Sequence, residues 1–461
     1  MRRRLLHLTR AAALGLGALV VLCAVSIWLS IRVTPMAEVS AAGQTVRVGA
    51  ALPGITLSGP GELDLFGQTI PTQLQFPGPI RPRLELARIT VDAQVASLIR
   101  SGDHRNLELR LSRELASGWR RYCIQEIAVA GGFAALFVAA AAAVRRSTPV
   151  GTLKAVAAGV VGVCVVNAAA AYLMAANTPA ALRQVHSLGD LVGLSPSRPT
   201  PPAQGPPLSG VQAVVIGDST AAAVGNPLVE RPDTLDRACG RSKDSYAAYL
   251  AAANGWNVIN LACSGATVRD GLLGPQILGD RVAPPQLAVA QRATTASVII
   301  VSVGANDLGW PEIIKVCAAS RTCADRLTTA YFQQQLAAFS RAYAALLRQL
   351  AALPQRPAVL VNEYYDPLSN NVGCLKPEGM TLAKAKALRS LLDVLNTVLA
   401  EGAKTFGFTA VRQHFAGHGV CSYTPFVQGL SDKAPLHPTV AGQLAIALAD
   451  QHALARAGLR D

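Results

Sequence analysis

Four short stretches in the C-terminal half of the chain carry residues suited to nucleophilic chemistry. The first is Gly217-Asp218-Ser219-Thr220, which follows the apolar run 213–216. A strand ending this way delivers a serine hydroxyl to a sheet edge. The serine's own N–H then lies at the start of the helix that the following AAAV can open, a place that favours negative charge on oxygen. Taken alone, Ser219 has a simpler reading as the N-cap of that helix. It is not a G-x-S-x-G elbow, because Ala221 occupies the last glycine position. The second stretch is NLACSGAT, residues 260–267, and the third is Val303-Gly304-Ala305-Asn306-Asp307. Gly265 offers an unobstructed backbone N–H, and Asn306 a side-chain NH₂, to one developing negative charge. The fourth is PLHPTVAGQ, in which His437 precedes a closing amphipathic helix and can return to the same edge as a general base. A single serine is common, whereas these four pieces in this order are not.

Positioning them requires a sheet whose strands all end on one edge. VQAVVIG at 211–217, WNVINLA at 256–262, SVIIVSVG at 297–304 and PAVLVNEY at 357–364 read as strands. Helices are expected near Asp244–Ala253 and from about Ala330 to Leu353. Strands separated by helices predict a parallel three-layer α/β sheet with right-handed crossovers. Sites in such sheets lie beyond the carboxyl ends of the strands.

GDST, the Gly265 block, GAND and the late His437 together resemble the SGNH (GDSL-type) hydrolase superfamily, over roughly Val211 to the C-terminus. The resemblance implies a flavodoxin-like three-layer α/β domain that hydrolyses esters through an acyl-enzyme and needs no cofactor. It implies Ser219 as nucleophile and His437 as base and then acid. The oxyanion hole would come from the N–H groups of Ser219 and Gly265 and the Asn306 side chain. One departure stands out: the family's acid lies three residues before the histidine, and here that position is Ala434, with Asp432 five residues ahead. NLACSGAT is similar to secreted actinobacterial esterases of the family, some of which orient the histidine with a main-chain carbonyl at that position. The expectation is therefore a Ser219–His437 dyad helped by the Ala434 carbonyl, with Asp432 as the alternative acid.

Of nine cysteines, Cys23 and Cys164 lie in apolar runs and Cys123 borders one, which leaves six in the C-terminal domain. Proximity suggests Cys317 with Cys323, and similarity to the secreted esterases suggests Cys239 with Cys263 and Cys374 with Cys421. An even set agrees with an oxidising compartment. The competing use of His414, His418 and Cys421 as metal ligands has feasible spacing but no obvious fourth partner, so no metal is expected.

The rest of the chain concerns where this domain sits. With 461 residues, 51% apolar and only 15% charged, it is too oily for a disordered chain and too long for a disulfide-dependent mini-protein. Residues 11–31 form a run of about the length that crosses a hydrocarbon layer of about 30 Å, preceded by the basic segment 1–10. The run is long for a signal peptide and weak in cleavage residues, which favours a retained anchor. Further apolar runs are read at 124–144 and 155–176, joined by a basic loop at 145–154 holding Arg145, Arg146 and Lys154. The positive-inside rule puts the N-terminus and this loop in the cytoplasm and the rest outside. Residues 32–123 alternate in places and are punctuated by PG and GP, as in a small β-rich domain. Residues 177–210 read as a Pro/Ser-rich linker, and 211–461 as the hydrolase domain.

Three functions fit: a membrane-anchored, outward-facing esterase or lipase acting on acylated lipids or glycans, an acyltransferase using the same acyl-enzyme, and a non-catalytic envelope-binding module. The complete set of four blocks argues against the third. The net charge of +14 suits anionic envelope lipids or polymers better than nucleic acid, which a disulfide-bearing outside domain rarely meets.

Overall fold

The computed structural model describes residues 2–41, 44–52, 56, 58–77, 80–89, 104–182 and 203–458. The chain divides into two compact units: Met1–Asp64 with Thr69–Pro196, and Ser197–Asp461, with which the turn Leu65–Gln68 is counted.

In the first unit, helix α1 (Arg2–Val33) leads into strands β1 (Ala37–Ala41), β2 (Gln44–Ala51), β3 (Ser58–Leu65), β4 (Gln68–Pro77) and β5 (Arg81–Ile89). They form a mixed sheet in the order β1-β2-β5-β3-β4, with β3 and β5 parallel. Alternation along β3 and β5 places Leu63, Leu84 and Leu86 on the buried side. Two long helices follow, α2 (His104–Val144) and α3 (Pro149–Leu182). The β-rich segment expected to run to residue 123 therefore ends earlier, since α2 already starts at His104. The reason lies in the spacing of Leu115, Trp119 and Tyr122, which bury one helical face. Trp119 Nε1 also donates to Gly49 O at 3.1 Å.

Arg113–Val144 and Pro149–Tyr172 are long and apolar enough to cross a membrane, and Gly17–Val33 is a shorter apolar helix. A polar cluster joins α1, α2 and α3. Ser30 Oγ bonds the Glu126 carboxylate, and Asn167 Nδ2 donates to Glu126 Oε2 at 2.7 Å, all three side chains being buried. Most of the linker expected over 177–210 lies outside the described residues.

The second unit holds β6 (Ala213–Gly217), α4 (Ser219–Ala222), α5 (Thr234–Cys239), α6 (Tyr246–Asn254), β7 (Val258–Asn260), a hairpin of β8 (Gln276–Leu278) and β9 (Arg281–Ala283), and α7 (Gln286–Ala290). Next come β10 (Val298–Ser302), α8 (Trp310–Ala319), α9 (Arg326–Ala351), β11 (Ala358–Asn362), α10 (Leu382–Thr405), β12 (Thr409–Val411) and α11 (Val440–Arg456). The main sheet is parallel in the order β12-β11-β10-β6-β7. Counted along the chain this is 2-1-3-4-5, the flavodoxin-like order, whose chain reversal lies between the first and third strands. Those strands, β6 and β10, are buried at every residue and read as continuous apolar runs, as central parallel strands must. Their register pairs Gly217 with Ser302, so both end at the same level.

Candidate active site

Close approach between β6 and β10 explains the residue that precedes Asp218. A Cβ on Gly217 would lie 2.4 Å from Ser302 O, so only glycine fits. The Gln286 side chain completes the packing. Its Oε1 accepts from Gly217 N at 2.7 Å and its Nε2 donates to Gly217 O at 2.9 Å. Asp218 caps α4 by accepting from Thr220 N at 2.9 Å, which starts a helical turn at Ser219. The N-cap is thus Asp218, and Ser219, the first residue inside the turn, keeps its hydroxyl for other use.

That hydroxyl lies 2.8 Å from His437 Nε2. On the other side of the ring, Nδ1 lies 3.1 Å from Pro435 O. A carbonyl can only accept, so Nδ1 carries the proton and Nε2 is the free base facing Ser219. The expected partner, the Ala434 carbonyl, instead accepts from the His437 main-chain N–H at 3.1 Å. Asp432 is exposed, and its Oδ2 accepts from Gly429 N at 2.7 Å. The structure thus brings Ser219 and His437 together and leaves Asp432 apart.

The loop before His437 is held by its neighbours. Leu436 occupies the left-handed region at φ 65°, a conformation that non-glycine residues adopt only under constraint. Leu436 N donates to Gln428 O at 2.9 Å and Tyr365 Oη donates to Leu436 O at 3.1 Å. The following helix is capped by Thr439, whose side chain accepts from Gly442 N.

Gly265, at φ +78°, is exposed in the loop after β7. That loop is fixed from four directions. The Cys239–Cys263 disulfide anchors its start, and Gln276 Nε2 donates to Ser264 O at 2.7 Å. Asn306 Nδ2 donates to Ala266 O at 2.9 Å, and the Asp307 carboxylate accepts from Val268 N at 3.0 Å. One amide hydrogen of Asn306 thus holds the loop while its second remains a donor at the same edge. Burial, helped by the charge of Asp218, pushes the Asp307 carboxyl up to about 7 against the Val268 hydrogen bond.

The other two disulfides are Cys317–Cys323 and Cys374–Cys421. Cys421 is therefore no metal ligand, and His418 Nδ1 faces Thr424 O at 2.8 Å with its ring stacked on Phe426. Sequence reasoning passed over Asp218, Gln276, Gln286 and Tyr365. Asp218 stands inside the GDST motif and Tyr365 just beyond a strand end, which are the available signals; the two glutamines lie in segments without a motif.

The model of the GDSL-like Lipase/Acylhydrolase family matches residues 215–445. The chain is similar to Lipase 1 of Streptomyces coelicolor, with 30% identity over 243 residues that cover 50% of this chain and 81% of that protein. It is 29% identical over 248 residues to the lipase of Streptomyces rimosus, covering 52% and 84% respectively. The crystal structure of phospholipase A1 from Streptomyces albidoflavus NA297 aligns over 53% of this chain and 99% of that one, with a TM-score of 0.40 and 22% identity. The family model and the Streptomyces coelicolor relative agree with the sequence blocks, and the chain belongs to the GDSL-like (SGNH) lipase/acylhydrolase family of carboxylic ester hydrolases.

Proposed function

We propose that the chain is a membrane-anchored, outward-facing serine esterase that cleaves acyl esters of envelope lipids or glycans through an acyl-enzyme on Ser219. The observation that carries this reading is the 2.8 Å contact between Ser219 Oγ and His437 Nε2, with Nδ1 turned to a carbonyl. His437 Nε2 takes the hydroxyl proton as Ser219 Oγ bonds the acyl carbon. The carbonyl oxygen becomes an oxyanion facing the N–H groups of Ser219 and Gly265 and the Asn306 amide. Collapse breaks the ester C–O bond, and the leaving alcohol departs with the proton from His437. Water then repeats the sequence on the acyl-enzyme, releasing the acid and restoring Ser219.

The lipid side of the reading draws on the two curated relatives, both named lipases. The anchor draws on the two helices long enough to span and on Arg145, Arg146 and Lys154 between and beside them, which favour a cytoplasmic loop. Three disulfides in the second unit favour an oxidising exterior for it.

Ser219→Ala in the full-length protein tests the chemistry. Turnover of a short p-nitrophenyl ester should fall by about 10⁶-fold, the scale of losing a nucleophilic serine, and fluorophosphonate labelling should vanish. Labelling that persists in Ser219→Ala overturns the assignment. Transfer of the acyl group to an added sugar hydroxyl in preference to water would recast the enzyme as an acyltransferase. For topology, a thiol placed by Thr200→Cys should react in intact cells and one placed by Ser147→Cys should not; the opposite pattern inverts the anchor.

A further inference from the structure

Tyr364 follows β11, on the far side of β10 from the nucleophile's strand. Its main chain is clamped by Asn396 on α10, which accepts from Tyr364 N and donates to Tyr364 O, both at 2.8 Å. From that fixed base the hydroxyl makes two contacts. It accepts from Ala305 N at 3.0 Å, in the turn that carries Asn306, and it donates to Asp218 Oδ2, beside Ser219. Asp218 is 1% exposed and its other oxygen already accepts from Thr220 N, so both carboxylate oxygens are committed to positions around the serine.

We propose that Tyr364 is a positioning residue for ester cleavage: its single hydroxyl locks the turn bearing the nucleophile to the turn bearing the Asn306 oxyanion donor. The two turns leave different strands, and the last main-chain bond between those strands runs from Asp218 N to Ser302 O at 3.0 Å. Beyond that level a side-chain link must set their separation, and a misplacement of about 1 Å is enough to cost on the order of 10²-fold in rate. The direction of the bonds fits. Tyr364 presents its oxygen to a main-chain N–H and its hydrogen to a carboxylate, a charge-assisted pair that also keeps a buried anion satisfied. Burial drives the Asp218 carboxyl upward, and the Tyr364 hydrogen bond is the largest influence opposing that rise.

This inference rests on the assignment of Ser219 and Asn306 above, and its test is built to fail separately. In the full-length protein, with p-nitrophenyl butyrate as probe, Tyr364→Phe should lower kcat by about 10- to 100-fold, with KM held within about threefold. If the hydroxyl acts through Asn306, the double variant Tyr364→Phe/Asn306→Ala should be little slower than Asn306→Ala alone. A structural role without positioning predicts additive losses in the cycle, and that result overturns the proposal, as does a Tyr364→Phe kcat within twofold of the parent. Asp218→Asn, which keeps an oxygen for Thr220 N but loses the acceptor for Tyr364, supplies a second variant and should show the same non-additivity. Full turnover in Ser219→Ala would instead remove the site assignment itself, whatever Tyr364→Phe does.

Discussion

Both units bury polar side chains, but they use them in opposite ways. In the first, Ser30 and Asn167 come from two helices and both bond Glu126 on a third, a cluster turned inward. In the second, His437 and Asn306 each give one bond to the scaffold and keep another group for the site. His437 gives Nδ1 to Pro435 O and offers Nε2 to Ser219. Asn306 gives one amide hydrogen to Ala266 O and has a second. A polar group whose bonds all go to the scaffold holds a fold together, whereas one with a bond left over is positioned yet still available to react.

The sharpest way to break that contrast is Asn306→Ala. As an oxyanion donor it should lose about 10² to 10³ in kcat, with a small change in melting temperature. If the residue served only to hold the Ala266 loop, the melt would drop and the rate of the folded enzyme would stay near the parent's. A calorimetric melt beside steady-state kinetics separates the two.

Asp450 on α11 is the second unit's example of inward use. It is fully buried, and Asn362 Nδ2 donates to its Oδ2 at 3.2 Å. Burial raises its carboxyl from the ordinary 3.8 to about 8. The folded state therefore binds a proton that the unfolded state releases between those values. The contribution to stability is present below about 3.8 and is lost as pH rises through about 8. Asp450→Asn, which cannot ionise, should flatten the fall in melting temperature between pH 5 and pH 9 by several degrees while leaving kcat unchanged. A melting profile as steep as the parent's would place the titration elsewhere.

Much of the candidate site was legible because most of its residues follow strands. Ser219, Gly265, Asn306 and His437 follow apolar runs or precede an amphipathic helix, so type and spacing were enough to group them. What could not be read was the direction of side chains fixed by packing between distant segments. Tyr364 reaches Asp218 across β10, Gln286 pairs with Gly217 like an added strand, and the left-handed Leu436 turns the His437 ring toward Pro435 O. Among elements, β12, α10 and the β8–β9 hairpin were missed, the two short strands of the hairpin having three residues each. The helical start at His104 was missed because its polar first turns carry charge where the apolar runs do not.

Glu126 tests the inward cluster from the other side. Glu126→Ala removes the partner of Ser30 and Asn167 and should cost about 1 kcal/mol per lost hydrogen bond, read as faster thermal inactivation in detergent. Glu126→Gln retains hydrogen-bonding groups for both neighbours and should stay close to the parent. Ester turnover of the folded protein should not change in either variant. A tenfold fall in kcat for Glu126→Gln would mean that the inward cluster serves the reaction, and the contrast between the units would collapse.

The smallest expected effect belongs to Asp432, and its smallness is informative. A side-chain acid that orients a catalytic histidine controls the tautomer and stabilises the imidazolium, so that converting it to an amide lowers kcat by about 10⁴. Here Nδ1 faces Pro435 O, a main-chain acceptor that no side-chain substitution removes, while Asp432 is exposed and accepts from Gly429 N. Asparagine at 432 keeps an oxygen for Gly429 N, so Asp432→Asn should slow kcat by less than about tenfold, or 1.4 kcal/mol of barrier. Its pH–rate profile should overlay the parent's, because the group that fixes the imidazole does not titrate. A thousandfold deficit, or a displaced acidic limb, would mean that Asp432 swings to His437 during turnover. The site would then be a triad, and its histidine would be held by a side chain rather than by the chain's own backbone.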